Sequence, residues 1–229
     1  MEYFEARGIS TRKYDDYRAP HFLISRLDPQ SKILDYGCGR GQLMDFLKNH
    51  GFSRVYGVDI LDAEVNDLKQ RGFKAKKINA PGEVADPEFK NFDFIILNHI
   101  LEHIPKDQII STLKVIRESL LGPSGKLFVM VPNAQSATGP YWAYEDFTHS
   151  TLFTSGSLGY VCKMAGFKNI SFVDIDCTEG QSFFKKLARK LLLKLFHFRC
   201  KIWNLATASR YHHESPVIYS YELKALVEE

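Results

Sequence analysis

A glycine-rich turn at residues 35–41 constrains the fold of this chain most strongly. The apolar segment SKILDY at residues 31–36 is predicted to be a buried strand, and it ends in the sequence D-Y-G-C-G-R-G. Apolar residues at helical spacing follow in GQLMDFLKNH, and Gly51 marks the end of that helix. Glycines let a backbone turn tightly and approach a ligand closely. A strand, a glycine turn and a helix in this order indicate a nucleotide site in a parallel α/β sheet.

The residues around this turn define the chemistry of the ligand. A dinucleotide fingerprint G-x-G-x-x-G would need glycine at position 42, where the chain has Gln42. Asp35 precedes the first glycine, and its carboxylate would repel a pyrophosphate but suits an ammonium or sulfonium group. Asp59 ends the second predicted strand, 22 residues after Gly37, where an acid can accept both ribose hydroxyls. A ribose with a cationic amino-acid end indicates S-adenosylmethionine.

Predicted strands and helices alternate along most of the chain. We predict strands at 31–36, 54–60, 73–79, 92–97, 126–131, 170–174 and 217–227, and helices at 41–50, 63–71, 106–121 and 155–165. This order indicates right-handed βαβ units around a parallel sheet, and the apolar strands indicate that both faces are covered. We expect a single domain over 1–229, with an N-terminal helix in 14–30, a cofactor-binding core at 31–178 and a last strand within 215–229.

Four segments resemble the motifs of class I S-adenosylmethionine-dependent methyltransferases. They are ILDYGCGRG, VYGVDI, FDFIILNHILEHI and GPSGKLFVMVPN, and the resemblance covers residues from about 30 to 170. It implies an α/β fold with a doubly wound, seven-stranded, mostly parallel sheet whose last strand is antiparallel. The implied cofactor is S-adenosylmethionine as methyl donor, bound at the carboxyl ends of the strands.

The same resemblance assigns cofactor-binding residues. Asp35, Gly37 and Gly39 would hold the methionine end, Asp59 the ribose, and Asn79 and Ala80 the adenine, while Asn98 would line the cofactor and Ile60 is a further cofactor-binding residue. The third motif departs from the family pattern, because a family acid often follows that strand and this chain has Asn-Ala-Pro-Gly. An asparagine can still form a hydrogen bond with adenine.

Two histidines are candidates for a general base. An alcohol acceptor benefits from a base because its hydroxyl must lose a proton, and histidine titrates near neutral pH. His149 follows the fifth strand and is our first choice as the catalytic residue, while His103 follows the fourth strand and is the second. The alternatives are that His149 only bonds a neighbour and that His103 holds its turn together.

A metal site is a further alternative at the same place. Ubiquinone-pathway O-methyltransferases and small-RNA end methyltransferases have a similar E-x-x-E-H turn with a later histidine, which serves a divalent metal. In this chain the residues are His99, Glu102, His103 and His149, so histidine replaces the first glutamate. Fewer oxygen ligands make the site worse for Mg²⁺ and better for a softer metal. We therefore predict no metal, while a divalent metal remains an alternative.

The loop after the fifth strand bears on the acceptor. The sequence PNAQSATGPYWAYEDFTHSTLFTSGSL resembles methyltransferases of glycan assembly, with a D-x-T-H turn, a Phe-Thr pair and a later Ala-Gly-Phe. The resemblance predicts methylation of a sugar hydroxyl of a glycan or glycan precursor. A quinone or phenol O-methyltransferase is the alternative, and an inactive cofactor-binding scaffold or an NAD-dependent oxidoreductase is disfavoured.

A basic segment lies between the last two predicted strands. Residues 181–210 are predicted to be a basic amphipathic helical insertion, and 181–213 contain eight lysines and arginines without an acid in a chain of net charge +3. The rest of the chain is therefore net acidic, which argues against a nucleic-acid partner. The apolar stripe within 183–205 would pack on the domain or on a twin subunit in a homodimer, or lie on an anionic membrane. Four cysteines without a C-x-x-C pair and the absence of a signal sequence indicate a cytoplasmic protein, peripheral at the inner face of the membrane if the helix binds lipid.

Overall fold

The computed structural model describes residues 25–80, 83, 86–211 and 215–229. Its strands form one sheet in the spatial order β3-β2-β1-β4-β5-β7-β6. The strands are β1 (Ile33–Tyr36), β2 (Val55–Asp59), β3 (Lys74–Lys77), β4 (Phe92–Asn98), β5 (Leu121–Pro132), β6 (Asn169–Phe172) and β7 (Glu222–Glu228). The first five strands are parallel, and β7 is antiparallel to β5 and β6. The predicted seven-stranded sheet with an antiparallel last strand is thus confirmed.

Helices connect the strands and cover both faces of the sheet. They are α1 (Gln42–Asn49), α2 (Asp62–Gln70), α3 (Ile109–Val115, continued by a π-helical turn Ile116–Leu120), α4 (Gly139–Glu145), α5 (Ser155–Met164) and α6 (Phe183–Ala206). A 3₁₀ turn at Leu101–His103 follows β4. Thr154 caps α5 through a reciprocal bond with Ser157, which explains why the helix begins where the sequence predicts.

The strand order brings the functional motifs to one edge of the sheet. In the register, Asp35 of β1 lies between Gly57 of β2 and Ile96 of β4. The ends of these three parallel strands therefore lie side by side, and the residues that follow them share one surface. This is the switch point at which open α/β sheets bind ligands.

Two apolar cores hold this edge rigid. Alternate residues of the central strands point to opposite faces, so that Leu34 and Ile95 pack in one cluster while Ile33 and Ile96 pack in the other. All four side chains are fully buried. A sheet that is packed on both faces is a stiff support for the loops at its carboxyl edge.

Several predicted boundaries need correction. The described part of the N-terminal segment, 25–30, forms turns and no helix, and residues 14–24 lie outside the described residues. Strand β5 starts at Leu121, before the Gly-Pro-Ser-Gly sequence, because Leu121 pairs with Phe92 of β4 across a register shift. The loop 133–154 contains helix α4, and β7 starts at Glu222 because its partner β5 ends at Pro132.

Candidate active site

The glycine turn is anchored to strand β2. The backbone N–H groups of Gly37 and Cys38 both donate to the carbonyl oxygen of Val58, at 2.8 and 3.0 Å. Gly37 has φ of 83°, and a Cβ there would lie 2.1 Å from Cδ1 of Ile100. The positive φ therefore calls for glycine at this position, and a Cβ would also require the Ile100 side chain to move.

Asp59 ties the turn to the end of β2. Its Oδ2 accepts a hydrogen bond from the Gly39 N–H at 2.7 Å, and its Oδ1 accepts one from the Leu61 N–H at 2.9 Å. Each carboxylate oxygen has further acceptor capacity, which is available to ribose hydroxyls. Asp59 therefore fixes the shape of the turn in addition to the role that the sequence predicts for it.

A cavity of about 550 Å³ opens between the turn and the end of β4. This volume is within the range of small-molecule sites. The predicted residues that line it are Asp35, Gly37, Gly39, Asp59, Ile60, Asn98 and His103. Ile78 lines it where the sequence predicted Asn79 and Ala80, which are exposed beside it and absent from the described lining.

Asp35 is an acid in an apolar setting. It is 3% exposed, and burial, with a further contribution from the nearby Asp59 charge, raises its pKa to about 8. A carboxylate in such a place is stabilised by a cationic partner. The cavity therefore contains a buried carboxyl group at the position where the sequence predicts an ammonium partner.

His103 is oriented by a chain of hydrogen bonds. Thr148 donates its hydroxyl proton to Oδ1 of Asp146 at 2.6 Å, so its oxygen accepts from the Nδ1–H of His103 at 2.8 Å. The basic lone pair of a neutral His103 is then on Nε2. Burial lowers the pKa of His103, so the ring is predominantly neutral at pH 7.

His149 lies behind His103 and does not line the cavity. Its side chain is 6% exposed, and its ring centroid is 4.7 Å from that of His103. The Nδ1–H donates to the carbonyl oxygen of Trp142 at 2.7 Å. The two predicted catalytic histidines are therefore in contact, and His103 is the one that lines the cavity.

His99 bridges two carboxylates. Its Nδ1 lies 3.0 Å from Oε1 of Glu102, and its Nε2 lies 3.2 Å from Oε1 of Glu222. Burial alone would lower the pKa of His99, but the bonds to these two acids outweigh it and raise the pKa to about 10. His99 adopts a φ of 56°, a conformation uncommon for residues other than glycine. The ring is a cation that holds the end of β4 to β7.

Glu102, His103 and His149 meet the geometric requirement for a metal site. One ligand atom from each of the three lies within 4.8 Å of the others. Glu102 is fully buried, and its Oε2 has no hydrogen-bond partner among the described residues. Both histidines direct their Nδ1–H to an oxygen, the arrangement that orients metal-binding histidines. The donor set of one oxygen and two nitrogens fits a divalent transition metal better than Mg²⁺.

Sequence reasoning missed two residues of this site. Thr148 lines the cavity and orients His103, and its signal was the D-x-T-H turn that contains it. Glu222 is 123 residues away from His99 in the sequence, and only the β5–β7 register brings it close. No local pattern could have identified Glu222.

The chain was compared with known proteins. A family model described as a methyltransferase domain matches residues 9–172. A ubiquinone biosynthesis O-methyltransferase of Coxiella burnetii is 32% identical over 107 residues, which span 44% of this chain and 43% of that protein. The match thus spans less than half the length of this curated relative.

Two solved structures share the fold at low sequence identity. A SAM-dependent methyltransferase from Archaeoglobus fulgidus gives a TM-score of 0.62 at 16% identity over 100% of both chains. The 1,6-didemethyltoxoflavin-N1-methyltransferase of Burkholderia thailandensis, solved with S-adenosylhomocysteine, gives 0.59 at 19% identity over 99% of this chain and 83% of that one. The prediction of a class I, S-adenosylmethionine-dependent methyltransferase is confirmed. Since the family model covers most of the chain, the chain belongs to the methyltransferase domain family.

Proposed function

We propose that this protein transfers a methyl group from S-adenosylmethionine to a phenolic hydroxyl held beside His103. The observation that carries the proposal is the hydrogen-bonded series Asp146–Thr148–His103 at the wall of the cavity that also contains Asp35 and Asp59. A base and a site for a cationic ribonucleoside lie in one cavity, which is what an in-line methyl transfer to oxygen requires.

The donor side of the reaction uses the turn and the two aspartates. Asp35 would pair with the ammonium of the methionine moiety, and Asp59 would accept the ribose hydroxyls. These contacts hold the sulfonium in place while the acceptor approaches from the opposite side of the methyl group. Because the aspartates and the turn are fixed by β1 and β2, the donor is positioned before the acceptor binds.

On the acceptor side, the proton passes to His103. The acceptor oxygen forms the new O–C bond, the S–C bond breaks, and its electron pair stays on sulfur to give S-adenosylhomocysteine. Nε2 of His103 takes the hydroxyl proton, and the Nδ1–H···Thr148 bond keeps the ring in the required tautomer. His149 supports the ring of His103 by contact and acts as a positioning residue.

A divalent metal is an alternative occupant of the same place. Held by Glu102, His103 and His149, it would lower the pKa of a bound hydroxyl. His103 uses Nε2 in either role, so the base and the metal ligand exclude one another. Dialysis against a chelator distinguishes the base from the metal site. Activity that survives this dialysis and is not raised by added Mn²⁺ or Zn²⁺ favours His103 as the base.

A phenol is favoured over a sugar hydroxyl as the acceptor. The relative from Coxiella burnetii is named for ubiquinone biosynthesis, and a phenol loses its proton to a neutral histidine more readily than an alcohol does. A sugar hydroxyl of a glycan or glycan precursor is the second candidate. It is supported by the aromatic residues of the loop after β5, where Tyr141 and Tyr144 are 53% and 83% exposed.

The test compares histidine variants on catechol-like and sugar acceptors with labelled donor. His103→Ala should lower kcat by ~10²–10⁴-fold with unchanged donor affinity. Thr148→Val should shift the pH profile of kcat/KM while it leaves donor affinity unchanged. His50→Ala, at the exposed end of α1, is the control that leaves activity unchanged. Full activity of His103→Ala with a phenol would refute the assignment.

A further inference from the structure

Helix α6 carries an apolar stripe that the other described residues leave largely exposed. In the part of the chain that the structure describes, α6 has no buried residue. The α6 residues of intermediate exposure, which face the domain at least in part, are Lys186, Arg189, Leu193, Phe196, His197, Cys200 and Asn204. At ~100° per residue this face lies nearly opposite the apolar stripe. The stripe residues are more than half exposed: Leu187, Leu191, Leu195, Phe198, Ile202 and Leu205.

The inner face of α6 is fixed to the domain by specific contacts. The rings of Phe196 and His197 lie 5.2 and 5.4 Å from that of Tyr219, just before β7. Arg189 donates to the carbonyl oxygen of Cys177. The helix is therefore docked on the side opposite the stripe, and most of the stripe surface is exposed among the described residues. Leu187, Leu191 and Phe198 of the stripe also line the open cleft between α6 and residues 217–220.

The charges beside the stripe are of one sign. Helix α6 contains seven lysines and arginines and no acid. Lys190, Lys194 and Lys201 line one edge of the stripe and also line a cleft of about 740 Å³ between α6 and residues 217–220. Asp176 is the one acid in the lining of that cleft. A basic border on an apolar stripe is the pattern of helices that lie in the plane of an anionic membrane surface.

A second copy of the chain suits this surface less well. Two α6 helices packed stripe against stripe would bring two sets of basic side chains together with no acid on either helix to offset them. Like charges across an interface are unfavourable, whereas an anionic lipid surface attracts every one of them. None of the described helices is long and apolar enough to span a bilayer.

We propose that α6 docks the protein on an anionic lipid bilayer, with the stripe in the headgroup region and Lys190, Lys194 and Lys201 on the lipid phosphates. The helix is 24 residues long and so extends ~36 Å along the surface. This proposal is independent of the acceptor and of the catalytic base.

The experiment is co-sedimentation of the full chain with vesicles of phosphatidylcholine alone and of phosphatidylcholine mixed with phosphatidylglycerol. The protein should sediment with the mixed vesicles at low salt and be released at ~1 M salt, where charges are screened within ~3 Å. Replacing Lys190, Lys194 and Lys201 with glutamine should weaken binding by about fivefold for each lysine, or about a hundredfold in all.

Two neighbouring leucines provide a matched pair. Leu191→Glu places a charge in the stripe and should abolish sedimentation, while Leu192→Glu places it outside the stripe, on a residue that is also exposed, and should leave most of it. Donor binding by calorimetry checks that each variant is folded. The proposal would be overturned if wild type sedimented equally with neutral and anionic vesicles, or if both leucine variants lost sedimentation equally. It would also be overturned if light scattering without lipid showed a dimer that Leu191→Glu dissociates.

Discussion

The raised pKa of Asp35 predicts a pH dependence of donor binding that tests whether Asp35 pairs with the ammonium group of the donor. With a pKa of about 8 in the free protein, this carboxyl is protonated at pH 6 to 7. It must release its proton to pair with the ammonium of S-adenosylmethionine. Each pH unit below 8 then costs ~1.36 kcal/mol, or a tenfold loss of affinity. Because about half of the carboxyl is already ionised at pH 8 and the donor amine also titrates there, we expect donor affinity to fall by about 20–50-fold between pH 8 and pH 6.

Calorimetry measures this linkage directly. Titrations in buffers of different ionisation enthalpy should show release of close to one proton at pH 6.5. The α-amino group of the donor has a pKa of ~7.7–8.0, so above pH 8 the sign of proton exchange should reverse. The Asp35→Asn variant should bind the donor ~10–100-fold more weakly at pH 8. Its donor affinity should no longer fall as the pH is lowered below 8. 5′-Methylthioadenosine, which lacks the amino-acid end, should bind wild type without this pH dependence.

The same pKa affects folding in the absence of donor. The folded-state pKa is above the ordinary value of 3.8, so the folded protein holds an additional proton between about pH 4 and pH 8. The stability of the free protein from this group therefore falls as pH rises through that window. A donor affinity that is constant from pH 6 to 8, or a profile that Asp35→Asn leaves unchanged, would refute the assignment of Asp35.

Two further substitutions test the site. Asp59→Asn should weaken donor binding by ~1.5–3 kcal/mol in calorimetry, because it removes a charged acceptor from both the ribose and the turn. The control is Asp62→Asn, at a neighbouring exposed residue, which should leave donor binding unchanged. An equal loss in both variants would contradict the ribose assignment. His99→Ala should lower the free energy of unfolding by ~2–3 kcal/mol in chemical denaturation, because it leaves the buried Glu102 without a partner, and unchanged stability would contradict the bridging role.

The donor half of the site could be predicted because its chemistry is local. Asp35 and the glycines lie within one turn, and Asp59 ends the next strand, so the spacing of these residues in the sequence is enough to place them together. The structure adds that Asp59 also accepts the Gly39 N–H. That bond depends on the way the turn folds over β2, which spacing does not determine.

The acceptor half was less predictable because it depends on contacts between distant segments. The sequence predicted that both histidines lie at the carboxyl edge of the sheet. Which of His103 and His149 lines the cavity depends on how the loop after β5 folds back. That loop is held by the N–H of Ser150, which donates to the carbonyl oxygen of Glu102 at 2.7 Å. Similarly, the amphipathic pattern of α6 predicts which residues form the apolar stripe, but it does not predict which face of the helix packs on the domain.

The charges of the cavity relate the donor half to the release of product. Asp35 and Asp59 line the cavity together with Arg40 and His99, and the ring of His99 is bonded to Glu102 and Glu222. If Asp35 and Asp59 bind the donor as proposed, S-adenosylmethionine brings both an ammonium and a sulfonium close to these two acids. After transfer, the sulfonium has become a neutral thioether, and the attraction to the cavity is reduced by one charge. The two acids proposed to bind the donor would therefore hold the product less strongly, without a separate device to expel it.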